Sequence, residues 1–135
     1  MSIAHVVASR TTWPGKSKVG CVVTQDKQVV STGYAGLPAG WKNEFPREDK
    51  KFWSHAEENA IAQAAKHGAK LKGATAYCTL SPCVPCARML INAGISSIVY
   101  CELWDEAEGL AALQLLSDCG VLLSCVVAGA KNGKL

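Results

Sequence analysis

Apolar and polar positions alternate in short runs that divide the chain into strands and helices. Residues 19–24 and 28–33 are β-rich, and the polar tripeptide between them has the length of a hairpin connection, so we expect two antiparallel strands. Farther along, segments with helical periodicity alternate with short apolar runs. The sequence predicts helices over residues 3–10, 55–67, 82–93 and 106–117, and strands over residues 74–80, 98–101 and 121–127.

This alternation of strands and helices predicts a layered α/β domain. Each of the later strands is separated from the next by one helix, and such a crossover joins parallel strands, so the predicted sheet is mixed. Gly68, Gly94 and Gly120 mark the ends of the later helices. At 135 residues we expect a single domain that spans residues 1–135.

Two segments have no regular periodicity. Residues 33–40 contain three glycines and a proline, which indicates either a backbone that closely approaches a ligand or a tight chain reversal. Residues 41–53 are charged and aperiodic, and we expect them to be the most mobile part of the chain or to contact a partner. Residues 131–135 are predicted to be a frayed tail.

The candidate chemistry lies in two clusters of residues. His55, Cys83 and Cys86 supply one imidazole and two thiols. Three protein ligands are typical of a catalytic zinc ion, because a structural zinc ion is normally held by four and leaves no position for water. If His55 lies at the loosened start of its helix, Glu57 can reach the water without ligating the metal. The pattern therefore predicts a catalytic zinc site with Glu57 as the catalytic residue.

The two cysteines are spaced three residues apart at a predicted helix start, so their thiols share one face. In this interpretation Ser81 is the N-cap and Pro82 is the first helical residue. The positive end of the helix dipole there favours the thiolate over the thiol.

Each of these residues also has a simpler interpretation. Ser54 and Glu57 have the spacing of a capping box, which would explain the glutamate without catalysis. Cys83 and Cys86 alone could be a redox pair or half of a structural zinc site, and a lone histidine before a helix usually has no special role. Only the catalytic interpretation accounts for all of these residues together.

Composition restricts the possible partners. The net charge is only +3 and the basic residues are dispersed, which does not indicate binding of polymeric nucleic acid. Seven cysteines, an odd number mostly within apolar stretches, indicate a reducing compartment. The first residues do not have the pattern of a signal peptide, and no apolar run is long enough to span a bilayer, so we expect a cytoplasmic protein with no membrane partner.

The clusters His55-Ala56-Glu57 and Pro82-Cys83-Val84-Pro85-Cys86 form the known H-x-E and P-C-x-x-C signature of zinc-dependent nucleobase deaminases. The chain resembles the deoxycytidylate (dCMP) deaminases of the cytidine deaminase superfamily over nearly its whole length. The fuller family pattern is visible in Lys18-Val19-Gly20, Gly33-Tyr34 before Gly36, Asn59-Ala60-Ile61, Cys86-Ala87-Arg88 and Asn92-Ala93-Gly94-Ile95.

The resemblance implies a three-layer α/β/α fold with a five-stranded mixed sheet. It also implies hydrolytic deamination of dCMP to dUMP, with Glu57 shuttling protons, the Ala56 N–H contacting the base carbonyl and the Ser81 carbonyl contacting the exocyclic amine. One Zn²⁺ per subunit is expected, because residues 41–53 are too short for the second-zinc insertion of some relatives. Relatives are often hexamers or dimers, and regulation by dCTP and dTTP is a further expectation.

Alternatives remain at this point. Another cytosine nucleotide or nucleoside, possibly modified, could be the substrate, and a zinc-bearing binding module is the non-enzymatic alternative. The family's usual asparagine, implicated in holding the sugar, is replaced by Ala35, next to Tyr34; Asn43 is a candidate to compensate. For the phosphate we expect Arg10, Lys16 and Lys18, and Trp104 could cover the nucleotide.

Overall fold

The computed structural model describes residues 1–11, 18–41 and 50–126, and its centre is a five-stranded sheet. The strands, in chain order, are β1 (Gly20–Gln25), β2 (Gln28–Tyr34), β3 (Thr75–Leu80), β4 (Ser97–Glu102) and β5 (Leu122–Cys125). Their order across the sheet is β2-β1-β3-β4-β5. β1 is antiparallel to both of its neighbours, and β3, β4 and β5 are parallel, which confirms the mixed sheet.

Four α-helices cover the sheet: α1 (Ser2–Ala8), α2 (Ala56–His67), α3 (Val84–Asn92) and α4 (Glu106–Asp118), with a short 3₁₀ helix at Lys50–Phe52. Side chains alternate across β1, so its two faces meet different helices. Gly20 faces Ala4 and Ala8 of α1, whereas Cys21 and Val23 belong to the core that α2, α3 and α4 complete. The predicted α/β/α arrangement is therefore confirmed.

The connection between β1 and β2 is one residue shorter than predicted. Gln25 still pairs with Gln28, so only Asp26 and Lys27 form the turn. Both have positive φ, 51° and 64°, the conformation of a type I′ hairpin turn, whose twist matches that of the flanking strands.

Two glycines allow helices to lie unusually close to the sheet. At Gly33, an added Cβ would overlap the Ala56 carbonyl oxygen and the Ala60 N–H in the first turns of α2. Gly20 has the same role beneath α1, where a Cβ would meet the Ala4 carbonyl. Gly33 matters for function because the helix that it admits begins directly after His55.

The predicted start of α3 is wrong. The extended residue that precedes α3 is Cys83, so Ser81 is not its N-cap and Pro82 is not helical. Ser81 still belongs to the end of the sheet, because its N–H donates to the Glu102 carbonyl at 2.7 Å. The simpler interpretation of Glu57 as part of a capping box with Ser54 also does not hold, because His55 rather than Ser54 is the N-cap of α2.

Several expectations concern residues outside the described part of the chain. Residues 42–49, 127–130 and the tail 131–135 lie outside the described residues, as do Lys16 and Asn43. Among the described residues, no helix is both long enough and apolar enough to cross a bilayer.

Replacing Gly33 by alanine should displace the first turn of α2, because the new methyl group meets backbone atoms that cannot rotate away. We expect a loss of at least about 3 kcal/mol in the free energy of unfolding, at the upper end for overpacking, together with reduced zinc binding. Gly68→Ala is the control: Gly68 has φ 71° with open space around it, so only backbone strain of about 1 kcal/mol applies. Urea unfolding measures both, and equal losses would contradict the prediction.

Candidate metal centre and active site

Three predicted ligands converge at one end of the sheet. The Nδ1 atom of His55 lies 3.3 Å from the Cys86 sulfur and 3.4 Å from the Cys83 sulfur. One ligand atom from each residue can be chosen so that all three lie within 4.8 Å of one another. His55 is exposed and the two cysteines are buried, so the group is closed on the protein side and open on the other.

The local structure explains this convergence. His55 and Cys83 are both extended N-cap residues, with ψ values of 161° and 170°, and each is directly followed by a helix. Neither side chain caps its own helix, so both remain available for the cluster. Cys86 lies one turn into α3 and returns to the same point. Two helix N-termini, each with unsatisfied N–H groups and a positive dipole end, therefore face the same group of donors.

The protonation of the three side chains reflects their close contact. A hydrogen bond from the Cys86 thiol, helped by one from His55, lowers the pKa of Cys83 to about 4. The same hydrogen bond raises the pKa of Cys86, which keeps its proton. The hydrogen bond with Cys83 raises the pKa of His55 to about 9 against the opposing effect of burial. Negative charge thus accumulates on sulfur at a site to which a cation can bind.

This donor set fits zinc. Zn²⁺ in proteins takes thiolate and imidazole ligands, and three of them leave a position for catalysis. Carboxylate-rich sites suit magnesium or calcium instead. The three side chains come from two different helix starts and are already brought together, so the arrangement of the chain and the chemistry of its donors both accommodate one zinc ion.

Glu57 lies beside this cluster and is only 4% exposed. Burial raises the pKa of its carboxyl group to about 7, opposed by a hydrogen bond from its own backbone. The neighbouring Cys83 raises this pKa further, whereas His55 and a hydrogen bond with Cys86 lower it. A buried carboxyl of this kind can hold or release a proton near neutral pH, as a general acid and base must.

Two backbone groups predicted to bind substrate lie at the same place. Ala56 is the first residue of α2 and is fully buried, and an N–H at this helix position has no acceptor within the helix. Ser81 lies between β3 and α3, two residues before Cys83, and is also buried. The structure therefore brings Ala56 and Ser81 together with the ligands, although Ser81 is not a helix cap.

The loop after β2 is fastened on both sides of Ala35. The Ala35 N–H donates to the Val19 carbonyl at 3.2 Å, and Gly36 and Ser54 exchange two backbone hydrogen bonds of 2.8 and 3.1 Å. Asn59 in α2 adds a side-chain bond of 2.8 Å to the Tyr34 carbonyl. The loop is thus tied to the residue that precedes His55, and Ala35 has a defined position near the cluster.

The residues predicted to bind phosphate are only partly described. Arg10 is exposed and its guanidinium lies 5.4 Å from the centre of the Tyr34 ring, a cation–π contact that the sequence did not reveal. Lys18 is exposed, and Lys16 lies outside the described residues. Arg10 is therefore the one of these three that the structure connects with a predicted substrate residue.

Sequence reasoning also missed Glu58. Its carboxylate lies 3.8 Å from Nδ1 of His55 and 4.0 Å from the Cys86 sulfur. The signal was available, because residues three apart on a helix share a face and Glu58 follows His55 by three. Glu58 adds negative charge at the outer edge of the metal group.

Replacing Cys86 by serine removes one of the three proposed zinc ligands. Loss of a residue that only supports a ligand typically lowers metal affinity by about 10- to 100-fold, so loss of a ligand should lower zinc affinity by more than about 100-fold. The melting temperature should also fall, since metal binding contributes to folding. Cys119→Ser, at an exposed cysteine outside the cluster, is the control and should keep full zinc content. Zinc analysis and thermal unfolding measure both variants, and full occupancy in Cys86→Ser would remove Cys86 from the ligands.

Comparison with known proteins agrees with this geometry. Residues 1–102 match the family described as the cytidine and deoxycytidylate deaminase zinc-binding region. The deoxycytidylate deaminase of Enterobacteria phage T2 is 31% identical, over 78% of this chain and 79% of the relative. The human deoxycytidylate deaminase is 32% identical, over 90% of this chain and 74% of the relative.

Among solved structures, the dCMP deaminase of cyanophage S-TIM5 in complex with dCMP and dUMP is similar, with a TM-score of 0.80. It is 27% identical, and the match covers 93% of this chain and 92% of the other. The sequence match, the shared fold and the His-Cys-Cys group lead to one conclusion: the chain belongs to the cytidine and deoxycytidylate deaminase family of zinc-dependent enzymes.

Proposed function

We propose that this protein deaminates dCMP to dUMP by hydrolysis, within one domain that binds one zinc ion through His55, Cys83 and Cys86. The observation that carries the proposal is the buried carboxyl of Glu57 beside these three donors. Relatives named deoxycytidylate deaminase that align over most of this chain support dCMP as the substrate.

The reaction needs a nucleophilic water, a proton carrier and a held base. Zinc in such a site supplies the Lewis acidity that makes water nucleophilic near neutral pH. The carboxylate of Glu57 takes a proton from the attacking water as the new C–O bond forms at C4 of the cytosine, and delivers it to N3. Glu57 then takes the remaining proton from the new C4 hydroxyl and passes it to the exocyclic amine. The C4–N bond breaks, ammonia leaves and the uracil carbonyl remains.

The remaining groups hold the substrate. The Ala56 N–H donates to the base carbonyl, and the Ser81 carbonyl accepts from the exocyclic amine, so both fix the base at the carboxyl of Glu57. Tyr34 and Ala35 border the sugar, and Arg10, Lys16 and Lys18 are the candidates for the phosphate. Trp104 is 47% exposed and covers the nucleotide from the end of β4.

A comparison of dCMP with deoxycytidine tests the substrate. If a phosphate site exists, kcat/KM should be at least about tenfold higher for dCMP, since charge-assisted hydrogen bonds of roughly 1.5 to 3 kcal/mol are lost with the nucleoside. The fall in cytosine absorbance follows the reaction. Equal kcat/KM for the two compounds would exclude a phosphate site. If the zinc-loaded protein deaminates no cytosine compound, the proposed enzymatic function is wrong and the zinc-bearing binding module remains.

Replacing Glu57 by glutamine should lower kcat by about 10² to 10⁴-fold, because an amide of the same size cannot carry the proton. Zinc content should be unchanged, since Glu57 is not a ligand. Glu58→Gln alters the adjacent, half-buried carboxylate and is the control. Because a partly exposed charge contributes only weakly to the electrostatic potential at its neighbours, kcat should change by less than about tenfold. Similar kcat values for the two variants would leave Glu57 without a catalytic role.

Restoring asparagine at position 35 tests the sugar contact. A methyl group cannot make the hydrogen bond expected of asparagine, whose absence should cost only about two- to tenfold in kcat/KM. Ala35→Asn should therefore leave dCMP turnover unchanged or raise it. A fall of more than tenfold would indicate a pocket reshaped for a substituted sugar or base, which is the second candidate substrate class.

We propose regulation by dCTP and dTTP at the far side of the same loop. A cavity of about 470 Å³ is lined by Ser31, Gly36, Asn59 and His67, among other residues of β2 and α2. Its volume suits a nucleotide, and its wall includes the loop that carries Ala35. Rates of dCMP turnover with and without each triphosphate decide the point.

We also propose a cytoplasmic homo-oligomer, a dimer or hexamer. All seven cysteines lie in the described residues and none forms a disulfide, as a reducing compartment favours. Met89 of α3 and Leu110 of α4 expose large apolar side chains on two helices that contact each other, a surface that association would bury. Light scattering in solution measures the mass of the assembly.

A further inference from the structure

The short segment between β4 and α4, Leu103 and Trp104, is held against the active site by Ser81. The Ser81 N–H donates to the Glu102 carbonyl at 2.7 Å, which continues the pairing of β3 with β4 one residue past Leu80. The Ser81 hydroxyl then accepts from the Trp104 N–H at 2.9 Å. One residue thus binds both ends of the segment.

The side chains of the segment are largely exposed. Leu103 and Trp104 are 38% and 47% exposed, whereas Ser81 is 3% exposed, so a buried hydroxyl holds an exposed segment. Asp105 follows at once and caps α4 by accepting from the Glu108 N–H at 2.9 Å. Only two residues therefore connect the end of β4 with the N-cap of α4, which restricts the conformations of the segment.

A glycine within α4 completes this arrangement. Gly109 is buried, and a Cβ there would lie 2.9 Å from Cδ1 of Leu103 and 3.4 Å from the Ser81 hydroxyl. Glycine within a helix is unfavourable, so its presence needs a packing reason. The space left by the absent side chain is filled by Leu103, which brings the segment down onto Ser81.

From these contacts we propose that the Ser81 hydroxyl is a positioning group that sets the place of Trp104 over the bound nucleotide. Ser81 is two residues before Cys83, and its carbonyl faces the reacting amine in the proposed function on which this inference rests. Ser81 thereby contacts Trp104 through its hydroxyl and the reacting base through its carbonyl. Its hydroxyl acts on nucleotide affinity and not on proton transfer.

Ser81→Ala tests this role. Loss of one hydrogen bond should raise KM for dCMP, and Kd for dUMP, by about two- to tenfold, with kcat within about twofold of wild type and zinc content unchanged. Ser97→Ala is the matched control: its hydroxyl lies 2.7 Å from the Thr75 hydroxyl at the opposite end of the same two strands. We expect a similar loss of stability but no change in KM.

A double-mutant cycle separates positioning from a general loosening of the site. In a Trp104→Ala background the indole is gone, so adding Ser81→Ala should raise KM no further. Additive effects, or a Ser81→Ala variant that matches Ser97→Ala, would overturn the inference. Should Ser81→Ala not fold, Ser81→Cys keeps the size of the side chain with a weak acceptor and gives the same comparison. A wild-type chain that does not turn over dCMP would instead refute the proposed function.

Discussion

The approach of two helix N-termini to a single point is the constraint on which the rest of the structure depends. Each helix start presents N–H groups that have no acceptor in the helix, and both face the cysteine sulfur atoms, of which that of Cys83 carries negative charge. Without a cation, an imidazole and two thiols at these distances must share protons, which is why the pKa of Cys83 falls while that of Cys86 rises. A zinc ion bound to both sulfur atoms takes the place of the proton that they share.

The sheet makes this approach possible. α2 can reach the site only because Gly33 has no side chain, and α3 starts where β3 ends, since Ser81 is still paired with β4. The loop that carries Ala35 is fastened to Ser54, the residue before His55. His55, Ala56 and the loop that carries Ala35 therefore form one connected unit, and a shift in α2 moves them relative to the two cysteines of α3.

Periodicity and motif spacing predicted the mixed sheet, the helices and the convergence of His55 with both cysteines, because these depend on local pattern and on chemistry that permits few alternatives. The start of α3 was predicted wrongly, because a local capping rule cannot register that Ser81 pairs with Glu102 from a distant strand. The position of Arg10 over Tyr34 and the bond from Trp104 to Ser81 were likewise out of reach. Such contacts join residues far apart in sequence, so they depend on the tertiary structure and not on local pattern.

The position of β1 also has a consequence for synthesis of the chain. β1 pairs with β2 through a two-residue turn, but its other edge pairs with β3, with Cys21 opposite Cys78. As the chain leaves the ribosome, the amino-terminal hairpin is therefore complete while one edge of β1 stays unpaired until residues 35–80 have emerged. Nascent chains can associate wrongly through an unpaired edge of this kind, so the interior position that protects β1 in the finished sheet leaves it vulnerable in the unfinished chain.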